Sequence, residues 1–118
     1  MTQSLEDYLE TIYVLIRERK RARVRDVASS LGVKMPSVIK AVQELKAAGL
    51  VEQEPYGDIR LTRSGEARAK EILARHHLLR DFLVKLGVPE EIAGRDACLM
   101  EHILSAETLE RIRVFAET

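Results

Sequence analysis

Glycine and proline punctuation constrains this chain more than any other feature. Gly32, Gly49 and Gly87 each follow a stretch of helical apolar periodicity, and Pro36 and Pro89 stand where the next helix would open. Glycine tolerates the left-handed conformation that ends a helix, and proline is admitted in a helix's first turn, so the chain is cut into short helices in series. Ahead of the first cut, Leu5, Tyr8, Leu9, Ile12, Tyr13 and Ile16 recur on one helical face, predicting a helix over Ser4–Lys20. Ala22-Arg23-Val24 reads as a short strand and Arg25–Leu31 as a second helix. A third follows from Met35 to Ala48, with Val38, Val42 and Leu45 facing inward.

Beyond Gly49 the period changes. Leu50–Glu54 and Ile59–Thr62 are strand-like and flank Pro55-Tyr56-Gly57-Asp58, a turn sequence, so a small β-hairpin is expected. Thr62 or Ser64 can cap a long helix carrying Ala69, Ile72, Leu73, His76, Leu79, Phe82, Leu83 and Leu86. Pro89 opens a fifth helix running to about Leu104, and Ser105 caps a sixth reaching Phe115. The class is mainly α with one hairpin wing. Its first part has the element order of a winged helix-turn-helix, continued by a helical lobe through a boundary within Thr62–Lys70.

Composition narrows what such a chain can do. Its 118 residues suffice for a core without staples, and a single cysteine excludes an internal disulfide. Apolar runs are short and Met1–Asp7 has no basic segment leading into an apolar one, so neither a membrane partner nor a secretory leader is expected; the location expected is cytoplasmic. Lys plus Arg and Asp plus Glu are 19 each, for a formal net charge of zero, so any nucleic-acid footprint must be local.

The third helix would be the reading helix of a DNA-binding motif, since a helix fits the major groove. Met35 and Pro36 suit thymine methyls, Ser37 a phosphate, and Lys40 a guanine edge or phosphate. Arg23 and Arg25, in a basic run before the second helix, and Tyr56 and Arg60 at the wing complete the candidate face. Any one of these cations serves equally well as a solvated surface charge, and winged helices also serve as protein-interaction modules.

A second constellation is polar. Asp7 and Glu10 lie three apart on the first helix; Cys98, Glu101 and His102 share i, i+3, i+4 spacing on the fifth; His76 takes an inward position on the long helix. Singly, His76 is a satisfied core histidine, Cys98 a small buried residue, and the acids helix-surface charges. Together they are too polar to bury without neutralisation, which a divalent transition ion supplies. Carboxylate, imidazole and thiolate suit Mn, Fe, Co, Ni or Zn, the thiolate favouring the softer ions. A metalloenzyme is disfavoured: six candidate ligands leave little room for a reacting water, and no nucleophile motif or small organic substrate site is legible. A metal-free winged-helix regulator or protein-interaction module remains the alternative.

The motifs Leu5-Glu6-Asp7-Tyr8-Leu9-Glu10-Thr11-Ile12-Tyr13, Pro36-Ser37-Val38, Arg75-His76-His77-Leu78-Leu79 and Cys98-Leu99-Met100-Glu101-His102, in that order, resemble metal-dependent repressors of the diphtheria toxin repressor family, closest to its short manganese-regulator branch. The resemblance implies a metal-activated repressor that binds double-stranded operator DNA as a homodimer. It divides the chain into residues 1–65 for DNA and residues 66–118 for dimerisation and metal. It implies Asp7, Glu10, His76, Cys98, Glu101 and His102 as ligands, with Mn2+ or Fe2+ the foremost ions. Two branches are mixed: Asp7 and Glu10 match the manganese branch, whereas Cys98 matches the iron branch. An ancillary site is expected to be absent, because Arg80 and Gly94 occupy its positions, and no SH3-like domain is expected after Thr118.

Overall fold

The computed structural model describes residues 1–118, as six helices and one two-stranded antiparallel sheet. Two compact units divide it, Met1–Lys70 and Glu71–Thr118.

In the first unit, α1 (Gln3–Arg19) starts at Thr2, whose hydroxyl accepts the Leu5 N–H at 3.2 Å. Its face of Tyr8, Leu9, Ile12, Tyr13 and Leu15 is buried, as its periodicity requires. α2 (Val24–Leu31) and α3 (Met35–Ala47) pack against it, and Val38, Ala41, Val42 and Leu45 of α3 fill the core. The end of α3 is closed by Gly49 at φ 76°, where the Leu50 N–H reaches the Leu45 carbonyl at 3.0 Å and the Gly49 N–H reaches that of Lys46 at 3.0 Å. This closure needs the left-handed residue that glycine provides.

The wing pairs β1 (Val51–Gln53) with β2 (Ile59–Leu61), in the register Val51↔Leu61, Glu52↔Arg60 and Gln53↔Ile59. The strand expected at Ala22–Val24 contracts to a single bridge, the Ile59 N–H donating to the Ala22 carbonyl at 2.8 Å. The cause is local: Arg23 is already the N-cap of α2, its carbonyl accepting from Asp26 and Val27, so no ladder can continue. Thr62 proves to be the residue that caps the next helix. Its hydroxyl accepts the Gly65 N–H at 3.0 Å and donates to the Gly49 carbonyl at 2.7 Å, tying the start of α4 (Arg63–Lys85) to the end of α3.

The boundary between units falls within α4. In the second unit Ile72 and Leu79 of α4 and Ala93 and Ala97 of α5 (Glu90–Met100) are buried. α6 (Ala106–Ala116) is capped by the Ser105 hydroxyl, and its Phe115 meets Phe82 edge-on at 6.0 Å. Two expectations are corrected here. Pro89 precedes α5 as its N-cap instead of lying in the first turn, and α5 ends at Met100, not near Leu104. From Glu101 the chain tightens: the His102 N–H bonds to the Leu99 carbonyl at 3.3 Å, and turns lead to Ser105. No helix is long and apolar enough to cross a membrane.

Candidate metal centre and nucleic-acid face

Helical geometry at the end of α5 decides what Cys98, Glu101 and His102 can do. Glu101 lies beyond the last regular residue yet keeps helical dihedrals, φ −60° and ψ −22°, so its side chain stays on the face of Cys98. α4 brings His76 to the same place. Its Nδ1 is 3.6 Å from Cys98 Sγ and 3.7 Å from a Glu101 carboxylate oxygen, and His102 Nε2 is 3.3 Å from the other. The side chains of Glu101 and His102 are 1% and 2% exposed, that of His76 17%. One oxygen donor group, two imidazoles and one thiol therefore gather within the second unit.

Burial, reinforced by the charges of His77 and Arg80, holds the His76 imidazole below its ordinary pKa. It is neutral at pH 7, so its approach to Glu101 is no ion pair, and a neutral imidazole is the form that ligates a metal. Cys98 is exposed, which sets aside its reading as a buried small residue.

Asp7 and Glu10 lie in the first unit, three apart on one side of α1 and half-buried. Sequence reasoning left Glu6 unassigned, yet it is 8% exposed. The signal was present: Glu6 precedes Leu9 by three and Tyr13 by seven positions, which puts it on the apolar stripe.

The nucleic-acid candidates all lie in the first unit. Met35, Pro36, Ser37 and Lys40 are exposed on the first turns of α3. Tyr56 stands wholly in solvent at the wing tip, in the left-handed conformation at φ 60°, within a turn closed by the Gly57 N–H on the Glu54 carbonyl at 2.8 Å. Several cations already have partners. Arg23 lies 3.1 Å from Asp26, holding that carboxyl below the usual range, and Arg21 lies 2.8 Å from Asp58. Arg60 is 4.0 Å from Glu52 and 3.9 Å from Glu54. Arg25 and Lys40 stand exposed outside these pairs.

Both halves of the chain match known families: residues 1–59 the iron dependent repressor, N-terminal DNA binding domain, and residues 62–118 the iron dependent repressor, metal binding and dimerisation domain. An HTH-type transcriptional regulator of Methanocaldococcus jannaschii is 43% identical over 99% of this chain and 95% of its own length. The transcriptional regulator MntR of Escherichia coli O6:H1 is 45% identical over 96% of this chain and 73% of its own. Among solved structures, a manganese-dependent transcriptional repressor in complex with manganese superposes with a TM-score of 0.86 at 28% identity over 96% of this chain, which spans 52% of that one.

Proposed function

The chain belongs to the iron-dependent repressor family, metal-dependent DNA-binding transcriptional regulators and not enzymes, and from that premise we propose that it is a homodimeric, cytoplasmic repressor of genes for manganese or iron homeostasis. The observation that carries the reading is the convergence of His76, Cys98, Glu101 and His102 in a family whose matching domain is described as metal binding. The donor chemistry fits a divalent transition ion. A buried carboxylate lies beside imidazoles, one of which burial keeps neutral, and a thiol able to ionise stands next to them.

Asp7 and Glu10 complete the proposed ligand set with His76, Cys98, Glu101 and His102. When bound, Mn2+ or Fe2+ supplies positive charge that neutralises the carboxylates and the thiolate. Asp7, Glu10 and Glu101 provide hard oxygen donors, and Cys98 provides a soft one that must lose its proton first. His76 provides a lone pair without that cost, because it is already deprotonated at pH 7. The donors belong to both units by sequence, so ligand occupancy is linked to the state of the DNA-binding unit. Met35 and Pro36 meet the major groove, Ser37 a phosphate and Lys40 a guanine edge or phosphate, while Arg23, Arg25, Tyr56 and Arg60 contact the backbone. In a dimer the two reading helices address half-sites about 34 Å apart, one turn of duplex.

Titrating MnCl2, and Fe2+ without oxygen, into the full chain with a duplex recovered from a random-sequence pool tests this. Binding that appears with metal and disappears with chelator is expected, and Glu101→Ala should raise the metal midpoint while the far-ultraviolet circular dichroism is kept. Equal binding in chelator and in metal would overturn the metal-activated reading in favour of a metal-free regulator.

A further inference from the structure

The exposed residues of α3 form two edges of different chemistry. Ser37, Lys40 and Glu44 border a groove shared with Thr2, Ser4 and Leu5 at the start of α1. Met35, Ile39, Gln43 and Lys46 face the other way, into a cleft of about 670 Å3 bounded across from them by Pro55 and Tyr56 of the wing. The buried face of α3 is already complete with Val38, Ala41, Val42 and Leu45, yet Met35 and Ile39 remain 48% and 46% exposed. Two large apolar side chains are thus left in water on the very helix that meets DNA. Four-residue spacing stacks Met35, Ile39 and Gln43 along one line of the helix, each about 6 Å from the last.

The cleft is lined by more cations than acids: Arg21, Arg23, Arg25 and Lys46 against Glu54 and Asp58. Both acids lie beside arginines, Asp58 2.8 Å from Arg21 and Glu54 3.9 Å from Arg60. An apolar line with an amide at its end, set between cations, complements a major groove whose floor carries methyl groups between walls of phosphate. Only thymine among the ordinary bases offers a methyl there, and glutamine matches the donor and acceptor pair of adenine.

Resting on the DNA-binding reading above, we propose that the wing-side edge of α3 sets operator specificity, Met35 and Ile39 packing on thymine methyls and Gln43 reading an adenine edge. The helical rise places successive contacts about two base-pair steps apart, at roughly 3.4 Å per step. Lys40 and Ser37, on the opposite edge, then serve chiefly as backbone and flanking contacts.

The test uses the full chain with MnCl2 and a duplex selected from a random-sequence pool, each thymine being replaced in turn by deoxyuridine, which removes only the methyl. At one or two positions affinity should fall by about fourfold. Ile39→Ala should bind the methyl-bearing and methyl-free duplexes equally at one of those positions, and Gln43→Ala should lose about tenfold and relax base choice at a single A·T pair. Insensitivity to every deoxyuridine, or undiminished sensitivity in Ile39→Ala together with a lowered melting temperature, would overturn the proposal and make the line a packing feature. The deoxyuridine arm needs no variant, so it decides even if Ile39→Ala does not fold. A pool that yields no binder, with metal or with chelator, would instead sink the DNA-binding reading, and this proposal with it.

Discussion

At the scale of single residues, Cys98 is the position where chemistry bears most on metal choice. It stands 3.6 Å from His76 Nδ1 and is exposed, so it does not owe its place to core packing. A thiolate favours softer ions than a carboxylate does and must shed a proton to bind. Cys98→Glu is therefore expected to shift the ratio of Mn to Co activation midpoints toward Mn, on the order of tenfold, a scale that even outer-shell changes reach. Metal titration of DNA binding without oxygen measures it. An unchanged ratio in a folded variant would remove Cys98 from the ligand set. The residue types and spacing at this site were legible in the sequence, because i, i+3, i+4 positions share a helix face wherever the helix goes. The burial of Glu101 and the neutral state of His76 were not, since both depend on what packs around them.

Among the elements, the junction of wing and long helix carries the sharpest steric constraint. A Cβ added at Gly65 would lie 1.8 Å from the Leu50 carbonyl oxygen, a backbone atom that cannot swing away. Gly65→Ala must therefore part α4 from the loop after α3, undoing the Thr62 hydroxyl's bonds to Gly65 and Gly49. A loss of roughly 3 kcal/mol is expected. Gly94→Ala is the contrast: its added Cβ meets nothing within 4 Å, and Gly94 lies inside α5. There the better helix former should gain about 0.5–1 kcal/mol. Urea unfolding of both variants checks the pair, and equal shifts would show that the Leu50 approach does not limit the fold. Helix existence was readable from period and punctuation, whereas the end of α5 and the loss of the Ala22–Val24 strand were set by competing local hydrogen bonds.

For the whole molecule, the claim that matters is thermodynamic. If metal tightens operator binding by some factor, the operator duplex must tighten metal binding by that same factor, typically 5- to 150-fold. Metal midpoints measured with and without the selected duplex should differ accordingly. An unchanged midpoint beside metal-dependent DNA binding would mean that the ions act on the DNA and not through the protein. The sequence by itself determined the helices, the wing, the order of elements and the donor types, because each is written in local periodicity, turn residues and helical spacing. Only the tertiary structure decided that His76 meets Cys98 and Glu101, and that α3 presents an apolar edge to the wing and a polar one to α1. Those outcomes depend on residues far apart in the chain, whose meeting no local pattern encodes.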